Sequence, residues 1–365
     1  MPRKPLICNV VGARPNFMKM TPVVQALAAS PRQLSQILVH TGQHYDTSMS
    51  QVFFDELGLP RPDVYLNIGS DSHARQTARI MMEFEQVCLD HQPTMVVVCG
   101  DVNSTIATAM VASKLNIPVA HVEAGLRSYD RTMPEEVNRV LTDHISDFLF
   151  TTEPSGDANL RAEGIAPKKI HLVGNCMVDT LLKHVDNAVR TTPWDVYGFQ
   201  PGDYALLTLH RPSNVDDPET LASLLTVING IADRVPLLFP VHPRTQARLR
   251  ESGIPVSPRL HLAEPLPYLA FIGLMAKAKL VLTDSGGIQE ETTALGVPCL
   301  TLRWNTERPI TIEQGTNRLV GTDPATIQTA LDEILSGQWK TGVRPALWDG
   351  HAGERIAKII EQGLD

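Results

Sequence analysis

Short apolar runs alternate along this chain with longer stretches whose apolar positions follow helical spacing. Apolar runs of about four to eight residues predict strands, and the amphipathic stretches between them predict helices. In the first half the predicted strands are 6–11, 36–40, 95–99, 118–123 and 148–151, and the predicted helices are 21–29, 104–114 and 135–143. This alternation is typical of a doubly wound α/β domain with parallel strands.

A second series of the same pattern begins near residue 203. Its predicted strands are 204–209, 236–241, 260–262, 280–282 and 299–302, and its predicted helices are 219–233, 268–276 and 287–295. At about 150 residues per domain, a chain of 365 residues has room for two such domains. The stretch 187–202 contains two prolines, two glycines and a tryptophan, and we expect it to join them. Because parallel sheets bind ligands at the carboxyl ends of their strands, we expect the site in a cleft between the domains.

The charge balance argues against several classes of partner. The chain has 32 Lys and Arg against 40 Asp and Glu, a net charge of −8, and no basic run. This balance disfavours nucleic acid and anionic membrane surfaces, and the scattered aromatic residues form no platform for single-stranded bases. No segment approaches the ~18 apolar residues of a membrane span, and the apolar stretch near the N-terminus is too short for a secretion signal. We therefore expect a soluble, cytoplasmic protein without nucleic-acid or membrane partners.

The cysteines and the first glycine turn limit the cofactors. Five widely spaced cysteines form no Cys-x-x-Cys pair or Cys/His motif, which predicts reduced thiols and no metal site. The segment 12–19, G-A-R-P-N-F-M-K, matches neither the Walker A pattern nor the dinucleotide fingerprint, so it disfavours a nucleoside triphosphatase and a simple NAD enzyme. Its backbone N–H groups, with Arg14 and Lys19, can contact an anion. An ordinary solvated helix start is the alternative.

Three acidic residues fall at the predicted carboxyl edge of the first sheet. Asp101 follows strand 95–99, Glu123 ends strand 118–123, and Glu136 lies in the first turn of the next helix. Carboxylates in one cleft separate one another's pKa values and so supply proton-transfer groups of different strength. The structural alternatives are a loop cap at Asp101 and a helix-start acid at Glu136. For Glu123 the alternative is an ion pair with Arg127.

Cationic and glycine-rich segments follow the strands of the second half. His210 and Arg211 come after strand 204–209 and can donate hydrogen bonds to an anion. The segment 282–291, L-T-D-S-G-G-I-Q-E-E, predicts a strand, a tight turn and a helix whose N-terminus a phosphate can approach closely. Glu291 lies about one turn into that helix, where it can accept from a ribose diol. Arg308 adds a cation at the same edge. A capped glycine turn without a ligand is the alternative.

In this order and spacing the segments resemble the non-hydrolysing UDP-N-acetylglucosamine 2-epimerases. The resemblance covers residues 6–322 and rests on G-A-R-P-N-F-M-K, G-D-V-N-S-T, H-V-E-A-G-L-R, M-P-E-E-V-N-R, L-H-R-P-S-N and T-D-S-G-G-I-Q-E-E. It implies the GT-B fold, an α/β architecture of two Rossmann-like doubly wound domains that face each other across a cleft. The implied domains are residues 1–180 and 181–348, with a helix in 349–365 that crosses back to the first domain. A homodimer is implied as well.

The resemblance also implies roles for individual residues. The implied catalytic residues are Asp101, Glu123, Glu136, Lys19 and His210. The implied substrate-binding residues are Arg14, Phe271 (against the uracil), Ser285, Gly286, Gly287, Glu291 and Arg308. An allosteric UDP-GlcNAc site, known in many bacterial members, would fall on Gln43, His44 and Arg75. After His210 those members continue Arg-Glu-Ser, whereas this chain continues Arg-Pro-Ser-Asn, which indicates a different subgroup.

The implied reaction interconverts UDP-GlcNAc and UDP-ManNAc without an added cofactor and would supply ManNAc units for surface polysaccharide. No carbonyl adjoins C2 of the sugar, so its proton becomes acidic only when the C1–O bond to UDP loosens. The family's route is elimination to 2-acetamidoglucal and UDP, followed by re-addition.

Four other functions remain open from the sequence. One is an epimerase of a related UDP-2-acetamido sugar. A GT-B glycosyltransferase would need an acceptor site and only one base, which the three carboxylates argue against. A hydrolysing epimerase is often fused to a kinase domain, for which this chain has no room. A nucleotide-sugar-binding regulator that keeps the fold would be expected to have lost the acids.

Overall fold

The computed structural model describes residues 4–32, 34–43, 54 and 56–364. The chain forms two compact units. The first comprises Met1–Thr180 together with Ala346–Asp365, and the second comprises Leu181–Pro345. The division falls inside the helix Cys176–Arg190, so the stretch 187–202 belongs wholly to the second unit.

The first unit is built on a seven-stranded parallel sheet. Its strands are β1 (Leu6–Val11), β2 (Ser35–His40), β3 (Val64–Tyr65), β4 (Met95–Cys99), β5 (Val119–Ala124), β6 (Phe148–Thr151) and β7 (Ile170–Leu172). Its helices are α1 (Arg14–Ala28), α2 (His73–His91), α3 (Asn103–Lys114), α4 (Pro134–Ile145) and α5 (Pro154–Ala162), with a single 3-10 turn (Pro167–Lys169). Helix α6 (Cys176–Arg190) begins in the first unit and ends in the second. The strand order β3-β2-β1-β4-β5-β6-β7 reverses direction between β1 and β4, the point at which open α/β sheets bind ligands. β4 is a continuous apolar run because helices cover both faces of the sheet, and β1 departs from this only at the buried Asn9, whose Nδ2 donates to Gln36 at 2.9 Å.

The second unit repeats this plan with six parallel strands. They are β8 (Ala205–Thr208), β9 (Leu237–Pro240), β10 (Leu260–Ala263), β11 (Leu280–Thr283), β12 (Cys299–Thr301) and β13 (Asn317–Leu319), in the order β10-β9-β8-β11-β12-β13. The helices are α7 (Pro212–Val215), α8 (Pro218–Arg234), α9 (Pro243–Glu251), α10 (Tyr268–Ala276), α11 (Gly286–Leu295), α12 (Ile310–Glu313) and α13 (Pro324–Leu335), with a 3-10 turn at Asp195–Tyr197. The core packs the sheet against the apolar faces of α8 and α13. Here the order reverses between β8 and β11.

The last helix, α14 (Ala352–Gly363), packs against α1 of the first unit. Its second residue, Gly353, lies so close to α1 that a Cβ atom there would be 2.6 Å from the carbonyl carbon of Pro22. The backbone N–H of Gly353 also donates to Asp179 of α6 at 2.8 Å. The C-terminal segment is therefore held by both α1 and α6.

The predicted two doubly wound α/β domains are confirmed, whereas several element bounds are wrong. The helix predicted at 21–29 begins at Arg14, because Pro15 in its first turn needs no hydrogen-bond acceptor and Pro22 is accommodated inside it. Strands β3, β7 and β13 were not predicted, since two or three residues are too few for a period to show. The helices that were not predicted are α2, α5, α6, α7, α9, α12 and α13.

No helix in the described part of the chain is long and apolar enough to cross a membrane. Among the same residues, no group of three or more His, Cys, Asp or Glu side chains is arranged to hold a metal ion. All five cysteines are buried free thiols.

Candidate active site

Two of the predicted acids lie at the ends of neighbouring strands of the first sheet. Cys99 of β4 pairs with Val122 of β5, so Asp101 and Glu123 emerge at the same edge. The chain turns sharply after β4 because Gly100 has φ +68°, a left-handed conformation that glycine adopts without a Cβ clash. The structure thus brings the two acids to the carboxyl edge of β4 and β5.

Glu123 is buried in an ion pair with Lys19 of α1. The Lys19 ammonium lies 2.6 Å from Oε2 and 2.7 Å from Oε1, and the two side chains are only 7% and 4% exposed. Glu123 itself has φ +69°, a conformation that costs a non-glycine residue roughly 1–3 kcal/mol and that concentrates at functional sites. The register of β5 against β6 shifts between Val122 and Ala124, so the strand irregularity re-aims this one side chain.

Arg127 is not the partner of Glu123, so the structural alternative drawn from the sequence is wrong. The Arg127 guanidinium lies 2.7 Å from Oδ2 of Asp143 and bonds both carboxylate oxygens of Glu163 at 2.7 Å. Burial would raise the pKa of Asp143, but hydrogen bonds and charges from His121 and Arg127 hold that pKa below its usual value. Neither acidic partner is close to Arg127 in sequence, which is why sequence spacing favoured the wrong pair.

Asp143 and His121 brace the backbone around Glu123. His121 contacts Oδ1 of Asp143 through Nδ1 at 2.7 Å and the carbonyl of Gly100 through Nε2 at 2.8 Å. The other carboxylate oxygen of Asp143 accepts from the N–H of Gly125 at 3.1 Å. Because these contacts tie the turn after β4 to the turn after β5, they support the strained backbone of Glu123.

Asp101 and Glu136 share a cation that the sequence analysis did not single out. Arg139 of α4 forms an ion pair with Asp101 and a 2.7 Å contact with Oε2 of Glu136. Glu136 also accepts from the N–H and Oγ of Ser128 and from the N–H of Tyr129, each at 2.9 Å. Glu136 is 3% exposed, whereas the side chain of Asp101 is 23% exposed. We call Asp101, Glu123 and Glu136, with Lys19 and Arg139, the acid cluster.

The turn from β1 into α1 does not present its first N–H groups to an anion, contrary to the expectation from its sequence. The N–H groups of Gly12 and Ala13 both donate to Oδ1 of Asn16, at 3.1 and 3.0 Å. Gly12 is required there because Ser104 of α3 occupies the space of a Cβ atom. Arg14 is the first residue of α1.

The residues of the predicted allosteric site are only partly described. Oε1 of Gln43 accepts from the N–H and Oγ of Ser104 at 3.1 and 2.7 Å, and the Gln43 carbonyl accepts from Gln76 at 3.3 Å. Gln43 is therefore buried in a polar network at the start of α3. Arg75 is exposed on α2, and His44 lies outside the described residues. Their regulatory role stays a prediction.

In the second unit, a residue without a predicted role organises the turn after β8. Asp284 follows β11, is fully buried, and accepts from the N–H of His210 at 3.0 Å and the N–H of Arg211 at 2.9 Å. Its other oxygen lies 2.8 Å from Nδ1 of His210, whose side chain is 59% exposed. Burial would raise the pKa of Asp284, but these hydrogen bonds hold that pKa below its usual value.

The predicted phosphate segment forms the start of α11. Ser285 is the N-cap residue and gives no side-chain cap, so the helix N-terminus at Gly286 and Gly287 is left to other acceptors. A Cβ atom at Gly286 would lie 2.7 Å from Oε1 of Glu307 and closer still to the guanidinium of Arg308. The absence of a side chain at Gly286 thus lets the Arg308 guanidinium approach the helix N-terminus. We call Ser285, Gly286 and Gly287 the glycine turn.

Three buried ion pairs surround Arg308. It pairs with Glu307 and lies 3.0 Å through Nε from Oε1 of Glu290. Glu307 also accepts from Arg303 at 2.8 Å, and Nη2 of Arg211 lies 3.9 Å from it. Since both signs of charge are buried together, Arg308 is held in place next to the glycine turn.

Glu291 lies on α11 and faces α10. The Tyr268 hydroxyl donates to Oε1 of Glu291 at 3.0 Å. Burial raises the pKa of Glu291 to about 7, although the hydrogen bond from Tyr268 acts in the opposite direction. Phe271 lies three residues after Tyr268 on α10 and is half-buried. With a pKa of about 7, Glu291 is partly ionised at pH 7, so a bound ligand can change its charge.

The chain is similar to proteins of one family over almost its whole length. A family model described as UDP-N-acetylglucosamine 2-epimerase matches residues 25–361. A UDP-N-acetylglucosamine 2-epimerase of Methanococcus maripaludis is 43% identical over 364 residues, covering 96% of this chain and 97% of the relative. A UDP-2,3-diacetamido-2,3-dideoxy-D-glucuronate 2-epimerase of Pseudomonas aeruginosa is 44% identical, covering 97% and 99%.

A solved structure extends the similarity to three dimensions. The UDP-GlcNAc 2-epimerase of Methanocaldococcus jannaschii, in complex with UDP-GlcNAc and UDP, is 43% identical, with a TM-score of 0.89 over 98% of this chain and 100% of that chain. The fold is therefore of the GT-B class, with two Rossmann-like units. The chain belongs to the UDP-N-acetylglucosamine 2-epimerase family.

Proposed function

We propose that the protein reversibly epimerises C2 of UDP-N-acetylglucosamine to give UDP-N-acetylmannosamine. The observation that carries the proposal is the acid cluster, in which three carboxylates and two cations meet at one sheet edge. Family membership supports the same conclusion. The product would supply ManNAc units for surface polysaccharide.

The reaction proceeds by elimination and re-addition. A carboxylate of the acid cluster takes the proton from C2, the C2–H electron pair forms the C1=C2 bond, and the C1–O electron pair leaves with UDP. In the second half of the reaction the C1=C2 electron pair takes a proton from a carboxyl group on the opposite face of C2, and an electron pair of the UDP oxygen forms the C1–O bond again. Two proton-transfer groups are therefore needed, and such groups contribute about 10²–10⁴-fold each.

Each carboxylate of the acid cluster has a feature that suits proton transfer. The Lys19 ammonium balances the negative charge of Glu123 in their buried ion pair. It can therefore stabilise the Glu123 carboxylate when that group gives up a proton. Asp101 is the most exposed of the three acids and can reach a ligand. Glu136 accepts three hydrogen bonds from Ser128 and Tyr129, which fixes its orientation.

In the second unit, the proposed role is to hold the nucleotide and stabilise the leaving diphosphate. The glycine turn offers the N–H groups and positive end of α11, and Arg308 adds a fixed cation. His210 can donate to the charge that develops on the diphosphate as the C1–O bond breaks. Glu291 would accept from the ribose hydroxyls, and Phe271 would pack against the uracil. In the first unit, Arg14 would contact the substrate.

The direct test is to incubate the purified protein with UDP-GlcNAc and, separately, with UDP-ManNAc, and to follow both by ¹H NMR. We expect the same equilibrium mixture from either side, with little free UDP. Free ManNAc and UDP would instead identify a hydrolysing epimerase. Stable substrate, consumed only when a sugar acceptor is added, would identify a glycosyltransferase.

A second candidate substrate is UDP-2,3-diacetamido-2,3-dideoxy-D-glucuronate. The observation that favours it is the 44% identity to the Pseudomonas aeruginosa enzyme, which matches the identity to the UDP-GlcNAc enzymes. Assays with both substrates at equal concentration give two values of kcat/KM. A higher kcat/KM for the uronate would show that the uronate, and not UDP-GlcNAc, is the substrate. The proposed chemistry at C2 would stay the same.

Two further features belong to the proposal. We expect the protein to act in the cytoplasm, where nucleotide sugars are made and used, and to form a homodimer as the family resemblance implies. Sedimentation equilibrium decides the second point, since a mass near 80 kDa is expected for two chains of 40.1 kDa and a mass of one chain would contradict it.

A further inference from the structure

Asp284 contacts both the backbone and the imidazole ring of His210. Its Oδ2 accepts from the N–H groups of His210 and Arg211 at 3.0 and 2.9 Å and from Nδ2 of Asn214 at 3.2 Å. Its Oδ1 lies 2.8 Å from Nδ1 of His210 and accepts a longer, shared hydrogen bond from the His210 N–H at 3.2 Å. The same carboxylate therefore fixes both the backbone and the ring of His210.

The remaining nitrogen of His210 is directed away from this buried contact. The side chain of Asp284 is fully buried, whereas that of His210 is 59% exposed. Within the described part of the chain, no hydrogen bond is made to Nε2 of His210. An imidazole held in this manner presents one nitrogen to a ligand in a defined orientation.

We infer that Asp284 is a positioning residue for His210: it keeps a proton on Nδ1 and directs Nε2 to the leaving diphosphate, to which Nε2 donates when the ring is protonated. The inference rests on the proposed function for the identity of the leaving group. The nitrogen of His210 that carries the proton can be determined whatever the leaving group is. A carboxylate that faces Nδ1 selects the neutral tautomer with its proton on Nδ1, whereas an amide NH₂ group in the same place selects the tautomer with its proton on Nε2.

The substitution Asp284→Asn tests this difference, because it keeps the shape of the side chain and replaces one carboxylate oxygen by an NH₂ group. Three donors converge on Oδ2, so the amide oxygen should take that position and the NH₂ group should face Nδ1 of His210. Nδ1 must then accept, and the proton moves to Nε2. We expect the neutral ring to be protonated on Nδ1 in the parent and on Nε2 in the variant.

The measurement is two-dimensional ¹H–¹⁵N NMR of ring nitrogens in ¹⁵N-histidine-labelled protein at about pH 8.5, where an ordinary histidine is neutral. The His210 signals among the 12 histidines are assigned by their loss in His210→Asn. Parent protein with the proton on Nε2 of His210 would overturn the inference, and this observation requires no variant to fold.

Kinetics provide the second readout. We expect Asp284→Asn to lower kcat by about tenfold, with KM changed much less, because the Nε2–H of the variant can still donate to the diphosphate but the carboxylate that supports a positive charge on the ring is gone. In a His210→Asn background the same change should have little further effect, because Asp284 would act through the ring. A full additional loss in that background would show that Asp284 acts otherwise.

Asn214→Ala is the matched structural control. It removes a donor to Asp284 and to the carbonyl of Leu302 but leaves the contact to the imidazole. We expect this variant to keep the parent tautomer. If it also moves the proton to Nε2, general loosening of the loop explains the effect and the inference fails. If the parent has the expected tautomer but epimerises no UDP-sugar, the proposed function fails and the positioning of His210 stands.

Discussion

Removing Lys19 should destabilise the first unit far more than removing an ordinary lysine. Lys19→Met keeps most of the side-chain volume and deletes the ammonium that lies 2.6 Å from Glu123. Because Glu123 is only 4% exposed, its carboxylate would be left in a buried environment without this cation. Breaking one side of a buried ion pair typically costs about 3–5 kcal/mol.

The size of the effect can be converted to a melting temperature. The first unit contains about 200 residues, and for units of that size 1 kcal/mol corresponds to roughly 2–4 °C. A loss of about 3–5 kcal/mol therefore predicts a transition lowered by roughly 6–20 °C.

Thermal unfolding followed by circular dichroism checks this prediction with two comparison variants. Lys169→Met removes a surface pair, 3.2 Å from Asp147 with side chains 36% and 48% exposed, and a 3.0 Å hydrogen bond to the Ser146 carbonyl, so it should cost only about 1 kcal/mol. The double variant Lys19→Met/Glu123→Gln removes both charges and should recover most of the stability.

Two results would refute the reasoning. An unfolding temperature for Lys19→Met as high as that of Lys169→Met would show that the buried ion pair contributes no more to stability than the surface pair. A double variant with the summed losses of the two single variants would show that Lys19 and Glu123 act independently.

Four further predictions concern the nucleotide, the C-terminal helix and cofactors. UDP affinity should rise between about pH 6 and 8 as Glu291, with a pKa of about 7, ionises and accepts from the ribose; calorimetry should find this rise weakened in Glu291→Gln. Gly286→Val should remain folded but lose UDP binding, because its side chain displaces Arg308; calorimetry that finds parent affinity would place the nucleotide elsewhere. Burial raises the pKa of Asp179 from 3.8 to about 6, so parent stability is favoured below about pH 4 and lost as pH rises through 6. Urea unfolding should therefore shift in favour of Asp179→Asn by up to about 3 kcal/mol between pH 4 and 8, and a constant difference would contradict this. Dialysis against chelator should leave turnover intact, and activity restored by one divalent ion would reveal a metal site.

The sequence predicted the architecture because buried parallel strands are continuous apolar runs. Met95–Cys99 was predicted with its observed bounds, since all five residues are buried. The strand Val64–Tyr65 could not be predicted, because two residues show no periodic pattern and are defined as a strand only by their pairing with Val39 and His40. Tertiary pairing of this kind leaves no local pattern.

Site residues that directly follow strands could be predicted from the sequence. Their ion-pair and hydrogen-bond partners could not be predicted where these come from other helices or strands. Asp101 and Glu123 could be placed because parallel strands end at one edge. The ion pair of Glu123 with Lys19 could not, since it joins residues 104 positions apart. Arg139 could have been found, because it lies three residues after Glu136 and so on the same helix face. Asp284 was present in a recognised segment, but its donors belong to the turn after another strand.

The central claim is that the acid cluster removes and returns the proton on C2. The most direct measurement is incubation with UDP-GlcNAc in D₂O, followed by NMR of the recovered nucleotide sugars. The account predicts UDP-ManNAc with deuterium at C2, and exchange lowered at least about 10²-fold in Asp101→Asn, Glu123→Gln and Glu136→Gln while UDP binding is retained. Epimerisation without solvent deuterium at C2, or variants that keep turnover and lose UDP binding, would contradict it.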